Sequence, residues 1–237
     1  PTIDLGGTTS VTVTEDIQTD INLSSLAFAD ADGDSLTVTL SADAGTLASA
    51  QGNTTVNGVT ISGSGTAVLT LAGSAADINT YLDTTTNIKY TTALNDDSTA
   101  NIAVVVNDGT ADDATNDSIT VNITAVNDAP VFTNLDADIV VSAGATNVLD
   151  ADATVFDVEM DASNYNGATL TLHRYGGSNS RDRFVEPGTL AALTESGALT
   201  VDGTTIGTVT KNSGGTLTLT FNTSATTALV NSAMQQI

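Results

Sequence analysis

Acidic residues form two short groups with the chemistry of a cation site. Each group places three carboxylates at every second position of the chain. The members of the two groups are Asp30, Asp32, Asp34, Asp157, Glu159 and Asp161. Calcium takes about six to eight oxygen ligands, and this spacing can converge three carboxylates when the segment is a loop between strands. The alternative is that these are ordinary turn residues that bind no ion.

Residues for catalysis are scarce. The chain has one histidine, His173, and no cysteine, so a nucleophile would have to be activated through that single imidazole. His173 follows Leu172 in an alternating segment, which predicts a side chain on the solvent face of a strand. Aromatic residues make up 4% of the chain and tryptophan is absent, unlike the cleft of a typical glycosidase. We therefore expect no enzymatic activity.

The charge balance excludes several classes of partner. There are 28 acidic and 5 basic residues, a net charge of −23. Such a chain cannot neutralise a run of phosphates, so it does not bind nucleic acid, and anionic membrane surfaces repel it. No apolar run approaches the ~20 residues of a membrane-spanning helix, so we expect no membrane insertion.

Apolar residues alternate with threonine or serine along most of the sequence. Examples are 36–40, 67–71, 118–123, 170–172 and 217–221, separated by turn residues such as Asn57-Gly58. Period-two alternation is typical of half-buried antiparallel strands, so the pattern predicts an all-β fold. Two short segments, 74–82 and 224–236, open with serine and continue with alanine-rich residues, which predicts capped helices.

The chain contains an internal repeat, with its second copy starting near residue 130. In each copy a strand, a polar stretch and a short helical segment follow one another, and Ile237 matches Ile88. By this match the second copy has about twenty additional residues and no counterpart of residues 89–128. We expect a second domain without its last strands, and an unpaired strand edge that another strand could occupy.

The junction carries the most specific motif, Ala125-Val126-Asn127-Asp128-Ala129-Pro130. It resembles the linker between tandem cadherin-like, immunoglobulin-type repeats of large bacterial surface adhesins. The motifs around Glu15 and Asp108 are similar to the same repeats. The resemblance implies two tandem β-sandwich domains, 1–128 and 129–237, the second longer and C-terminally incomplete. Pro1 would then end a preceding linker.

The resemblance also implies calcium between neighbouring repeats. Carried over residue by residue, it places calcium, as one or two ions, at the junction and another group of ligands at the start of the chain. The junction ligands would be Glu15, Asn127, Asp128, Asp157 and Glu159, with Asp161 as an addition. Asp30, Asp32 and Asp108 would face the preceding repeat, with Asp34 in the same loop. Ala125 stands where such linkers usually begin with aspartate, which predicts fewer ions per junction than in a metazoan cadherin.

The function implied is mechanical. Such repeats form a calcium-stiffened spacer of a secreted adhesin at the bacterial cell surface, supporting adhesion or biofilm formation, with adjacent repeats of the same chain as partners. The alternative is a module that binds carbohydrate or protein through inserted loops of the second domain, between residues 161 and 188.

Overall fold

The computed structural model describes residues 1–113, 117–135, 144, 146–186 and 188–237, and its contacts divide the chain into two compact units. The first unit is Pro1–Val126 and the second is Asn127–Ile237. Both are built mainly from β-strands, with short helices beside the sheets. The predicted all-β class is confirmed.

The first unit contains twelve described strands and one helix. They are β1 (Thr2–Asp4), β2 (Ser10–Thr14), β3 (Thr19–Asp20), β4 (Ala27–Ala29), β5 (Leu36–Ala42), β6 (Thr46–Ser49), β7 (Thr55–Val56), β8 (Val59–Ser62), β9 (Val68–Gly73), α1 (Ala75–Leu82), β10 (Ile88–Thr91), β11 (Ala100–Asn107) and β12 (Asp117–Thr124). Its main sheet has seven strands in the order β2-β12-β11-β5-β9-β8-β7, with β2 and β12 parallel. A three-stranded sheet, β3-β10-β6, and the pair β1-β4 complete the unit.

Alternation along the strands builds the core of the first unit. Leu36, Val38 and Leu40 of β5 are fully buried, whereas Thr37 between them is exposed. Helix α1 begins after Ser74, whose hydroxyl accepts the backbone N–H of Asp77 at 3.2 Å. This is the serine cap that the sequence predicts, and the helix buries its apolar face against the strands.

The second unit contains six described strands and two helices. They are β13 (Val131–Thr133), β14 (Thr154–Phe156), α2 (Val158–Ser163), β15 (Thr169–His173), β16 (Ala198–Val201), β17 (Thr204–Ser213), β18 (Thr216–Phe221) and α3 (Thr227–Met234). The strands form an antiparallel sheet, β15-β18-β17-β16, and a separate pair, β13-β14. A core of its own lies against this sheet and α3.

The sheet of the second unit repeats one side of the larger sheet in the first. The order β15-β18-β17-β16 corresponds to β5-β9-β8-β7, and α3 follows β18 as α1 follows β9. Leu170 pairs with Leu219 as Val38 pairs with Leu71. Within the described part of the second unit, no strand lies on the side of β15 that β11 occupies beside β5.

Two local predictions differ from the structure. Residues 158–163 form helix α2 rather than a loop like 30–34, because the Asp157 side chain caps the helix by accepting the backbone N–H of Met160. Helix α3 begins after Thr226 rather than at Ser224, since Ser224 lies in a turn where its N–H binds the Asn222 side chain. No described helix combines the length and apolarity needed to cross a bilayer.

Candidate functional site

The first acidic group, at residues 30–34, is organised around Asp30. Its Oδ1 accepts the backbone N–H groups of Asp32 and Asp34, each at 3.0 Å. The N–H of Asp34 is the main cause of an Asp30 pKa below its ordinary value of 3.8. The loop therefore holds this carboxylate ionised and oriented by the backbone.

Asp108, in the loop after β11, lies near Asp30. Its Oδ1 accepts the Thr110 hydroxyl at 2.6 Å and the N–H groups of Thr110 and Ala111 at 2.8 Å. The Thr110 hydroxyl and these N–H groups lower the Asp108 pKa well below 3.8. Oδ2 of Asp108 and Oδ2 of Asp30 lie 3.6 and 3.3 Å from the Pro1 nitrogen. The carboxylates of two predicted ligands therefore approach the same atom.

The rest of the first group does not join them. The Asp32 and Asp34 side chains are exposed, and among the described residues these carboxylates do not gather with Asp30 into a group of metal-binding size. The backbone bonds to Asp30 close a turn that leaves the next two aspartates in solvent.

Glu15, which follows β2, is buried, with 2% of its surface exposed. Its Oε2 accepts the backbone N–H of Val126 at 3.0 Å, and its own N–H donates to the Thr124 carbonyl at 3.0 Å. These bonds tie the carboxylate to the end of β12. Within the described residues no lysine or arginine forms a salt bridge with Glu15. Burying a carboxylate without a neighbouring cation costs free energy, so the position of Glu15 suits a bound metal ion.

In the second unit, Asp128 and Glu159 come together. The backbone N–H of Asp128 donates to Oε1 of Glu159 at 3.1 Å, and carboxylate oxygens of the two residues lie within 4.8 Å of each other. Oε2 of Glu159 is buried and accepts no hydrogen bond from the described residues. Buried carboxylate oxygens normally have a donor or a metal partner.

This pair fits a hard cation. Two carboxylates at that separation can ligate one ion, and the buried Oε2 offers it an oxygen that no donor of the described chain satisfies. The second unit therefore holds acidic residues that could bind a metal ion. Their oxygen-only chemistry matches calcium or magnesium better than zinc or copper.

The side chains of the other residues predicted for the junction bind different partners. Asp157 is buried and its Oδ1 caps α2. Asp161 lies four residues on, and its carboxylate accepts the Thr227 hydroxyl of α3. The exposed Asn127 uses its side-chain amide to donate to the Asp128 carbonyl at 2.7 Å. Because α2 is helical, Glu159 points away from the face shared by positions 157 and 161.

Sequence reasoning missed two features of the second unit. A cavity of about 230 Å³ lies among apolar side chains of β15, β18 and α3, with Phe132 and Tyr165 in its lining. Buried Asn212 binds the backbone of Phe184, within the predicted insertion 161–188, and that of Leu193 beyond it. The alternation of β17 could not place Asn212 inside, since an irregularity between Val209 and Lys211 shifts the strand register.

His173 ends β15 with its side chain exposed, as the alternation predicts. Comparison with known proteins gives no match to any family model or to any curated protein.

Proposed function

We propose that this chain is part of a calcium-stiffened spacer of a secreted bacterial adhesin, located at the cell surface. The observation that carries the proposal is Oε2 of Glu159 beside Asp128, a buried oxygen that accepts no hydrogen bond from the described residues. A cation there would offset the cost of burying the carboxylate. The sequence resemblance implies that the Glu15 carboxylate is a further calcium ligand. Glu15 is buried, and its carboxylate accepts the backbone N–H of Val126.

Calcium would stabilise the folded state by binding to it. Extracellular calcium modules bind with dissociation constants of about 10⁻⁴ to 10⁻³ M. An ion present at ~100 times such a constant stabilises the folded state by about 2.7 kcal/mol. For a chain of this size, that corresponds to a rise in melting temperature of several degrees.

The test compares thermal melting with calcium and with chelator at equal ionic strength. Glu159→Gln should remove most of the calcium-dependent rise in melting temperature. The matched control is Asp161→Asn, on the same helix but bonded to Thr227, which should keep it. Overlapping wild-type curves would reject calcium binding, and equal losses in both variants would reject the assignment to Glu159.

Stiffening requires a second measurement. In the mechanism that the sequence resemblance implies, bound calcium limits motion about the linker. Small-angle scattering should then show a narrower and more extended distance distribution when calcium is added. Asp128→Ala should abolish this change without unfolding the protein. Calcium binding with an unchanged wild-type scattering profile would leave the ion as a local stabiliser and reject the spacer mechanism.

A second candidate is a binding module for carbohydrate or protein on residues 161–188. The observation in its favour is Tyr175, which is fully exposed (100%) beside Arg174 and followed by two glycines. Tyrosine and arginine are enriched at binding hot spots. A glycan or protein ligand whose affinity falls at least tenfold in Tyr175→Ala would favour this function over the spacer.

A further inference from the structure

The basic residues of the second unit gather at one end of its four-stranded sheet. Residues 127–237 contain four basic side chains, and Arg174, Arg181 and Arg183 lie in the segment that follows β15. The fourth, Lys211, lies on β17 near the turn that leads to β18. All four residues are exposed. This basic end is a local exception in a chain that carries a net charge of −23.

The segment 174–182 is closed into a loop on the turn between β17 and β18. The Arg174 N–H donates to the Gly215 carbonyl at 2.9 Å, and the Gly215 N–H donates to the Asp182 carbonyl at 3.4 Å. The Arg174 guanidinium also lies 3.1 Å from the Asp182 carboxylate. A Cβ at Gly215 would lie 3.3 Å from the Arg174 side chain, so the close approach of loop and turn suits a glycine. Both ends of the loop are therefore fixed, and the residues between them project from the sheet.

The carboxylate nearest to the other basic side chains has a backbone partner. Oε2 of Glu195 accepts the Asn212 N–H at 2.9 Å, and this bond is the main cause of a Glu195 pKa below its ordinary value. Arg183 and Lys211 lower that pKa further by their charge. Among the described residues, Arg181 forms no salt bridge. Its planar guanidinium can therefore bind an external carboxylate through two parallel N–H bonds.

The same loop carries an aromatic ring with a free face. Tyr175 is fully exposed, and Gly176 and Gly177 follow it at φ values of +92° and +105°, which glycine adopts readily. The face of an aromatic ring is electron-rich and attracts C–H groups such as those of a sugar ring. Ser178 and Ser180 lie further along the loop, and their hydroxyls can bond the hydroxyl groups of a sugar.

Net charge limits how acidic the ligand can be. A polyanion would be repelled by the protein as a whole, as nucleic acid is. At an ionic strength of about 0.15 M the screening length is about 8 Å, so a single carboxylate mainly experiences the nearest side chains. At the basic end those side chains are three arginines and a lysine. A ligand with one negative charge therefore suits this surface.

We propose that the loop 174–182, together with Lys211, binds a sugar that carries one carboxylate at the end of a glycan. Arg181 pairs with the carboxylate, Tyr175 packs against the sugar ring, and Ser178 and Ser180 bond its hydroxyl groups. This ligand class rests on the second candidate function, the binding module, and is independent of calcium.

The test follows the backbone amide NMR shifts of the full chain in chelator and about 150 mM sodium chloride. The probes are the methyl glycosides of glucuronic, galacturonic and N-acetylneuraminic acid. At least one should give saturable shifts confined to residues 174–183 and 211–216. The methyl ester of the same glycoside keeps the ring without the charge and should bind at least tenfold more weakly. Acetate, which is the carboxylate without the ring, should give no saturable shift at the same concentrations.

Variants place the binding on the loop. Arg181→Gln should weaken binding of the acidic glycoside at least tenfold, whereas Lys89→Gln, with the same change in net charge, should leave it unchanged. Tyr175→Ala should also weaken binding at least tenfold, and Tyr175→Phe should keep it because the ring remains.

Three results would overturn the proposal: no saturable binding of any acidic glycoside, equal binding of acid and ester, or equal losses in Arg181→Gln and Lys89→Gln. Equal binding of acid and ester that still required Tyr175 would reject the acidic ligand and keep the binding module. Loss of the calcium response in melting or scattering would reject the spacer and leave this site standing.

Discussion

Individual carboxylates in this protein differ in how many hydrogen bonds they accept from the described chain. Asp108 and Asp30 accept several N–H and O–H donors, and these bonds lower both pKa values. Glu159 accepts one backbone N–H and keeps a buried oxygen that no described donor reaches. Saturated carboxylates stabilise loops, whereas an unsaturated one is available to a cation.

Asp108 should make folding sensitive to acid. Its pKa is lowered in the folded state, so the unfolded chain binds protons more readily near the ordinary value of 3.8. The stabilisation is complete above that value and is lost as the pH falls below it. Asp108→Asn should therefore melt at a lower temperature than wild type near neutral pH. Its melting temperature should fall less than that of wild type on acidification to about pH 2.

Melting temperatures measured across that pH range for wild type, Asp108→Asn and the exposed control Asp32→Asn would test this expectation. The control should keep the wild-type slope. Identical slopes for wild type and Asp108→Asn would contradict the role assigned to Asp108.

His173 should be dispensable. Because its side chain is exposed on β15, His173→Gln should change the free energy of unfolding by less than about 1 kcal/mol in urea denaturation. Leu219→Ala, at a fully buried position of the neighbouring strand, should cost about 2–5 kcal/mol. A hydrolytic activity abolished by His173→Gln would instead establish an enzyme.

Among the elements, β17 shows how a strand supports a long insertion. The irregularity between Val209 and Lys211 turns Asn212 inward, where its surface is 4% exposed. Its side chain donates to the Phe184 and Leu193 carbonyls at 2.8 Å and accepts the Phe184 N–H at 3.0 Å. One buried amide thus joins the inserted segment to the sheet.

Asn212→Ala should destabilise the second unit. The substitution leaves the buried Leu193 carbonyl without its partner, which costs about 1–3 kcal/mol, and also removes the partner of the part-buried Phe184 backbone. Hydrogen exchange at residues 183–195 should accelerate more than exchange in β18. Asn166→Ala, at an exposed position, is the matched control, and a similar response in both variants would rule out the proposed anchoring.

At the scale of the whole molecule, charge is unevenly divided between the two units. Residues 1–126 contain 16 acidic residues and one lysine, whereas residues 127–237 contain 12 acidic and four basic residues. Self-repulsion within a compact unit opposes folding, and it is therefore stronger in the first unit.

Salt should consequently stabilise the first unit more than the second. Between about 10 and 150 mM sodium chloride the screening length falls from about 30 to 8 Å. In the presence of chelator, hydrogen exchange of the full chain should slow more in core peptides of residues 1–126 than in those of 127–237. Equal slowing in both units would show that net charge does not limit their stability.

The amino-acid sequence by itself determined the fold class and the positions of strands such as β5, β9, β12, β15 and β18. Alternation placed Val38, Leu40, Leu217 and Leu219 on buried faces, because side chains of a strand point alternately to its two sides. The serine cap of α1 was also readable, since capping depends on neighbouring residues. The scarcity of basic residues is a property of composition alone.

Only the tertiary structure decided which acidic residues meet. Asp161 holds the same place in its group as Asp34, yet its carboxylate accepts the Thr227 hydroxyl, 66 residues along the chain, whereas Asp34 is exposed. Glu159 and Asp128 are 31 residues apart, and no local pattern fixes such a distance. The irregularity in β17 likewise depends on pairing with β18. Local chemistry determines strands and caps, whereas a binding site depends on contacts between distant segments, which exist only once the chain has packed.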